Sequence, residues 1–303
     1  CVAIPIELAG SSFDKSHMHV VVGMMGPPPK SVKNFDERNC GGDASEPVFL
    51  GLDGCKAGWF FIGIDSVGDF QFSVLKSFDE VHPFLEQARL VLVDIPIGVP
   101  WQEQKVRLCD TAARKAIAPR GSSVFPAPTR SAMYKASYRE GSEENRRVLD
   151  RGLSKQTWFI SPKIREVDEF MRRVMPGEKV REMHPEVAFW ALNGKKVLKH
   201  RKKDQAGIDE RLGILREHYP RSEECFEWAR GQYMVKEVAS DDILDAMVGA
   251  VTAMQHPRLS TFPENPVCDE EGISMEVVYA QICCDSSKAE ISADTVISQL
   301  GDR

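Results

Sequence analysis

Carboxylates fall where apolar segments end or begin at four widely separated places in the chain. Val48 to Leu52 runs into Asp53-Gly54, Leu90 to Val93 runs into Asp94, and the short β-compatible stretch Lys179 to Met183 carries Glu182, with Glu186 one helical turn further on. Asp241, Asp242 and Asp245 open the apolar segment that continues to Met254. Spacings of three and four residues put carboxylates on one face of a helix, and the macrodipole favours negative charge in its first turn. Side chains at strand ends of an open sheet leave the buried layer and point into a crevice, so four segments can converge acids on one point. Carboxylates within a few ångströms of one another repel and raise each other's pKa, and stay ionised together only when a cation neutralises them. Hard oxygen donors select Mg²⁺ or Mn²⁺. Each acid taken alone has an ordinary reading as well: Asp before glycine starts a turn, and Asp241 or Asp242 serves a helix N-terminus.

Other polar residues fit an anionic substrate. His184, between Glu182 and Pro185 at a strand-to-helix junction, can orient a water or bind a phosphate oxygen, or simply pack. Arg114, Arg120, Ser122, Ser123 and Arg130 offer guanidinium and hydroxyl donors in a segment rich in Pro and Gly; the plain alternative is a surface loop with ion pairs. Lys195, Lys196, Lys199, Arg201, Lys202 and Lys203 form a basic run soon after Glu182. Such a run is by default a solvated connection, and beside an acidic centre it makes a rim for a phosphate backbone. Trp158, Phe159 and Trp190 read as core residues, not as base-stacking platforms.

The elements that would position these residues follow from hydrophobic periodicity. Val48–Leu52, Trp59–Ile64 and Phe70–Leu75 make a three-strand meander, Ser77 caps a helix reaching Arg89, and Leu90–Val93 is a strand buried on both faces. Residues 99–176 are helical and loop-like, an insertion with a helix capped by Ser161 and carrying Pro162 in its first turn. Pro185 opens a helix to Leu192, residues 198–219 are basic and then helical, and Ser240 caps the long apolar helix. After a proline-rich loop, Met275–Tyr279 alternates like an edge strand. Residues 1–46, with Pro27-Pro28-Pro29, read as a disordered extension, 47–280 as the folded domain, and 281–303 as a polar appendix. With 42% apolar and 28% charged residues in 303, wholesale disorder, a collagen-like repeat and a membrane bundle are excluded. The net charge of −6 belongs to residues 268–303, which hold eight Asp/Glu against two Lys/Arg. The balanced remainder gives no support to bulk adhesion to nucleic acid, and leaves room for a local basic groove. Eight cysteines, none paired at the two-residue gap of zinc sites, read as free thiols of a reducing, cytoplasmic compartment.

An acid on the first strand of a meander, an acid ending the fourth strand and acids on the final helix together resemble the ribonuclease H-like fold. The strings GLDGCKAGW (51–59), VDIPIGVP (93–100), CDTAARKAIAPRGSSVFPAPTR (109–130), GLSKQTWFISPKIREVD (152–168), REMHPEVAF (181–189) and DDILDAM (241–247) are similar to the DUF429 family, described as predicted ribonuclease H-like nucleases, over roughly residues 48–280. The resemblance implies an α/β fold, a mixed sheet flanked by helices with a helical insertion after the fourth strand. It also implies divalent-metal-dependent phosphodiester hydrolysis of RNA, DNA or a hybrid, with two ions ~4 Å apart. Asp53 would bridge both ions; Asp94, Glu182 and Asp242 or Asp245 would complete the shell. Arg114, Arg120, Ser123, Arg130, Lys163, His184 and Lys203 would contact the substrate. Two other readings compete. An actin-like or sugar-kinase-like ATP-binding phosphotransferase would use Asp53-Gly54 and Gly58, but a convincing second glycine-rich phosphate loop is lacking. A non-catalytic nucleic-acid-binding module has no evident use for acids at all four places.

Overall fold

The computed structural model describes residues 48–282, so the expected extension over residues 1–46 and all but the first two residues of the C-terminal appendix lie outside the described residues. Three strands, β1 (Val48–Cys55), β2 (Gly58–Ile64) and β3 (Phe70–Leu75), form the antiparallel meander. β4 (Ala88–Val93) and β5 (Val180–Glu182) then add in parallel on the other side of β1, giving the order β3-β2-β1-β4-β5. The architecture is thus a five-stranded mixed sheet flanked by helices. Between β4 and β5 lies the insertion, with α1 (Leu108–Ala116), α2 (Arg130–Met133), α3 (Tyr138–Leu149) and α4 (Lys155–Val174). After β5 come α5 (Pro185–Leu192), α6 (Gln205–His218), α7 (Ser222–Gln232) and α8 (Ser240–Ala253), and then the hairpin of β6 (Leu259–Cys268) and β7 (Ser274–Ala280).

Strand alternation sorts the sheet into two apolar faces. Leu50, Leu52, Trp59, Phe61, Val91 and Val93 pack against Ile164, Val167 and Phe170 of α4 and against Phe78 and Val81. Phe60, Ile62, Leu90 and Leu92 face α8, whose residues Ile243 to Ala253 are all buried. An element apolar on every side has to be central, and α8 lies across β1, β2 and β4. Gly51 makes that contact possible, because a Cβ there would stand 2.0 Å from the Ala246 carbonyl oxygen and 2.2 Å from the Ala250 nitrogen.

Several local expectations change. The segment after Ser77 is a 3-10 helix, Phe78–Glu86, interrupted by Pro83, and Ser77 makes no capping bond; the carboxylate of Glu166 takes the Phe78 amide instead. α4 begins two turns earlier than expected. Its cap is Ser154, which accepts from the Thr157 amide at 3.0 Å, while Ser161 lies inside and donates to the Thr157 carbonyl. Ala239, not Ser240, is the N-cap residue of α8. The proline-rich stretch expected as a loop is β6, which pairs with the expected strand at 275–279. Phe159, expected in the core, is 76% exposed. Cys55, Cys109, Cys225 and Cys268 are free thiols, and no helix among the described residues is long and apolar enough to cross a membrane.

Candidate metal centre

β1 and β4 run parallel, and Leu52 is the register partner of Val93. The Asp94 amide donates to the Leu52 carbonyl at 2.9 Å. Asp53 and Asp94 therefore follow at the same level on neighbouring strands, each two residues beyond one that faces α8 (Gly51 and Leu92). Asp245 comes to meet them from α8, one turn before Gly249, whose own Cβ would lie 3.0 Å from the Gly51 Cα. Oxygens of Asp53, Asp94 and Asp245 all lie within 4.8 Å of one another, a group that could hold a metal ion. Burial raises the pKa of all three. Asp53 and Asp94 go well above the ordinary carboxylate range, chiefly through burial and then because neighbouring acids repel a second negative charge, Asp94 and Asp245 at Asp53 and Asp245 at Asp94.

Glu182, expected in the same shell, borders the same cleft as the three acids but is not in their close group. Its register partner is Val93, so it shares the sheet face of Leu52 and Val93 and not that of Asp53 and Asp94. There it is bound to the guanidinium of Arg107 and accepts from the Ile97 amide at 2.7 Å. Burial lifts its carboxyl to about 7 against the pull of Arg107. Arg107, itself 1% exposed, also holds Asp110 at 2.6 Å. Asp242 has a capping job: its carboxylate accepts from the Ala239 amide at 2.8 Å, although burial still pushes it up to about 6.

The three acids open into a cleft of about 300 Å³, also lined by Asp110, Ser123, Phe125, Ile160, Lys163, Glu182, His184, Glu186 and Lys202. Six carboxylates line it, and they divide by partner. Asp110 and Glu182 are neutralised by Arg107, and Glu186 by Arg120 and Arg211. Among the described residues no arginine is ion-paired with Asp53, Asp94 or Asp245; Lys202 puts its ammonium 2.9 Å from Asp245, and Arg211 reaches Asp245 only through its charge. A cluster of three acids with a single lysine in ion-pair contact is a donor set that a divalent ion can complete.

Most of the expected substrate donors are already engaged. Arg114 gives two hydrogen bonds to the Val124 carbonyl, and Ser123 donates to the Arg120 carbonyl at 3.0 Å. Arg120 donates to the carbonyls of Leu198 and His200. Arg130 joins α2 and α4 to the β6–β7 turn through Asp168 and Asp269, and does not line the cleft. Lys203 is exposed and outside the cleft as well. Lys163 and His184 do line it. Lys163 crosses Gly54, lies 4.3 Å from the Trp59 ring centroid and donates to the Gly58 carbonyl at 2.6 Å. Burial lowers the pKa of His184, which favours its neutral form, and its Nε2 lies 3.3 Å from the Ser123 carbonyl. The sequence carries no separate signal for Gly51 or Asp110, and it offers Lys202 only as one member of a basic run.

No curated protein matches the chain, and no solved structure does. Residues 51–267 match the family described as "Protein of unknown function (DUF429)", a span that contains every acid of the cleft, and the chain belongs to that family.

Proposed function

We propose that the chain is a divalent-metal-dependent phosphodiester hydrolase acting on nucleic acid, with a ribonuclease H-like sheet as its scaffold. One observation carries the reading: of six cleft carboxylates, three are matched by arginines and the other three, with oxygens within 4.8 Å, are not. An antiparallel meander extended by two parallel strands, with acids at the C-terminal ends of the neighbouring central strands and on the last long helix, supports the ribonuclease H-like assignment. Asp53, Asp94 and Asp245 would hold the ion. When bound, such an ion supplies an activated water and charge stabilisation at the leaving oxygen. Without a cation the cleft repels a polyanion, so its own residues dictate that neutralisation comes before substrate entry. Lys163, beside Asp53 and Gly54, is placed to meet a phosphoryl oxygen, and neutral His184 can accept a proton or hydrogen bond.

The test is cleavage of a panel of RNA, DNA, hybrid and branched substrates with Mg²⁺ or Mn²⁺. Activity is expected only with the ion. It should fall at least about a hundredfold in Asp53→Asn and Asp245→Asn, the scale on which an active site loses a preorganised charge partner. Absence of cleavage on every substrate, accompanied by ATP hydrolysis, overturns the reading in favour of a phosphotransferase.

A further inference from the structure

Among the described residues, Lys202 is the basic side chain in ion-pair contact with Asp245. Its Nζ lies 2.9 Å from Asp245 and 3.2 Å from Asp241, and its charge also draws down Asp53 and Asp94. The backbone that presents it is pinned on both sides. Arg120 donates to the carbonyls of Leu198, at 2.8 Å, and of His200, and Glu210 accepts from the amides of Lys199 and His200 at 2.8 and 2.9 Å. Gly207 lets α6 approach so closely that a Cβ would stand 1.8 Å from the Arg201 carbonyl oxygen. Arg120 is in turn held by Glu186, which Arg211 braces.

This fixed strap carries a side chain of the opposite character. The Lys202 side chain is 42% exposed; its ammonium donates one hydrogen bond to Asp245 and meets Asp241 by charge at 3.2 Å. A lysine has a flexible four-carbon stem and a point charge with no required direction, so its head can leave one carboxylate at little cost. A divalent ion held by Asp53, Asp94 and Asp245 would meet the ammonium's repulsion and compete with it for the Asp245 oxygens. Lys199 and Lys203 share the strap but are exposed and outside the cleft, so position and not the basic run as such selects Lys202.

We propose that Lys202 is an exchangeable internal counter-ion, which holds the unloaded acid cluster together and yields Asp245 to an entering divalent cation. The proposal rests on the metal centre of the reading above, though not on the reaction assigned to it. It accounts for the strap bonds of Arg120 and Glu210, which the hydrolytic chemistry leaves unused.

Mn²⁺ binding to the full chain, measured by calorimetry without substrate, decides it. Lys202→Gln should bind Mn²⁺ roughly tenfold more tightly, a difference of ~1.4 kcal/mol, while Lys203→Gln stays within about twofold and Lys202→Arg binds no more tightly than the parent. The metal-free Lys202→Gln protein should melt lower than the parent, with the gap closing as Mn²⁺ saturates. If that variant does not fold, NMR of the parent with ¹³C-labelled lysine still tests the exchange: adding Mg²⁺ should release Lys202 Cε into fast motion. Unchanged or weaker Mn²⁺ affinity in Lys202→Gln, a lysine signal indifferent to Mg²⁺, or no divalent binding by either protein overturns the proposal. Tighter binding in Lys202→Gln with no cleavage of any phosphodiester leaves the counter-ion in place and sinks only the nuclease reading.

Discussion

Glu182 and Asp245 are both buried carboxylates beside a cation, yet their lone pairs are used differently. Glu182 receives two nitrogens of Arg107 and the Ile97 amide. Among the described residues, Asp245 receives a hydrogen bond from Lys202 and sits against Asp53 and Asp94. A buried guanidinium shared by two carboxylates is costly to remove, because both charges are then left unpaired in a poorly solvated place. Arg107→Ala is therefore expected to lower unfolding stability by ~3–5 kcal/mol, read from urea denaturation. Glu182→Gln should change Mn²⁺ affinity by no more than about threefold, whereas Asp245→Asn should weaken it by tenfold or more, on the view that a direct ligand contributes upwards of ~1.4 kcal/mol. Abolition of Mn²⁺ binding by Glu182→Gln would return Glu182 to the ligand set.

The centre depends on the approach of two elements, β1 and α8. Gly51 and Gly249 face each other where the two backbones meet; Asp53 lies two residues beyond the first, and Asp245 one turn before the second. Gly51→Ala puts a methyl group into the Ala246 carbonyl, so α8 must shift outward. Overpacking of this kind costs typically ~1–3 kcal/mol. We expect a loss in the upper half of that range and, because Asp245 moves off Asp53, weaker Mn²⁺ binding in the same protein. A variant that kept full Mn²⁺ affinity would show that the acids do not depend on this contact. α4 also presents a face to the cleft through Ile160 and Lys163, and Phe159 stands exposed one turn before Lys163.

For the molecule as a whole, the unloaded acids set a pH dependence of stability. Asp53, Asp94 and Asp245 are raised by burial, and Asp242 reaches about 6. A carboxyl whose folded pKa lies above its unfolded value of ~3.9 binds more protons in the folded state, so its stabilising contribution is complete below that value and is lost as pH rises through the folded pKa. The metal-free protein should thus lose stability from these groups as pH rises above about 4, Asp242 giving up its share around pH 6. Asp53→Asn should reduce that slope and leave the metal-free protein more stable near neutral pH. Saturating Mn²⁺ should raise the melting temperature near pH 7 and flatten the slope, since the ion binds the deprotonated acids. Melting curves at pH 5 and 7, with and without Mn²⁺, check all three; an Asp53→Asn protein with the parent's slope would show that repulsion is not stored at Asp53.

The chain's own residues determined the meander, the buried fourth strand and the apolar final helix, because period-two runs and an all-round apolar helix are local patterns. Asp53 and Asp94 were legible for the same reason, as charges that interrupt a buried run. The strand carrying Glu182 was legible too, but not its face. With a side-chain period of two, a single residue of register separates the α8 side from the α4 side, and only the pairing of Glu182 with Val93 settles which it takes. The fate of the arginines was equally closed to sequence. A guanidinium in a polar loop reads as an anion binder until folding supplies the carbonyls of Val124, Leu198 and His200 that occupy Arg114 and Arg120. Lys202 differs from Lys199 and Lys203 only through the strap that aims it, and that strap is built from contacts to α6 and to Arg120, which lies some eighty residues earlier in the chain. Local patterns determine which residues lie in a strand or a helix; long-range backbone contacts decide which charges meet.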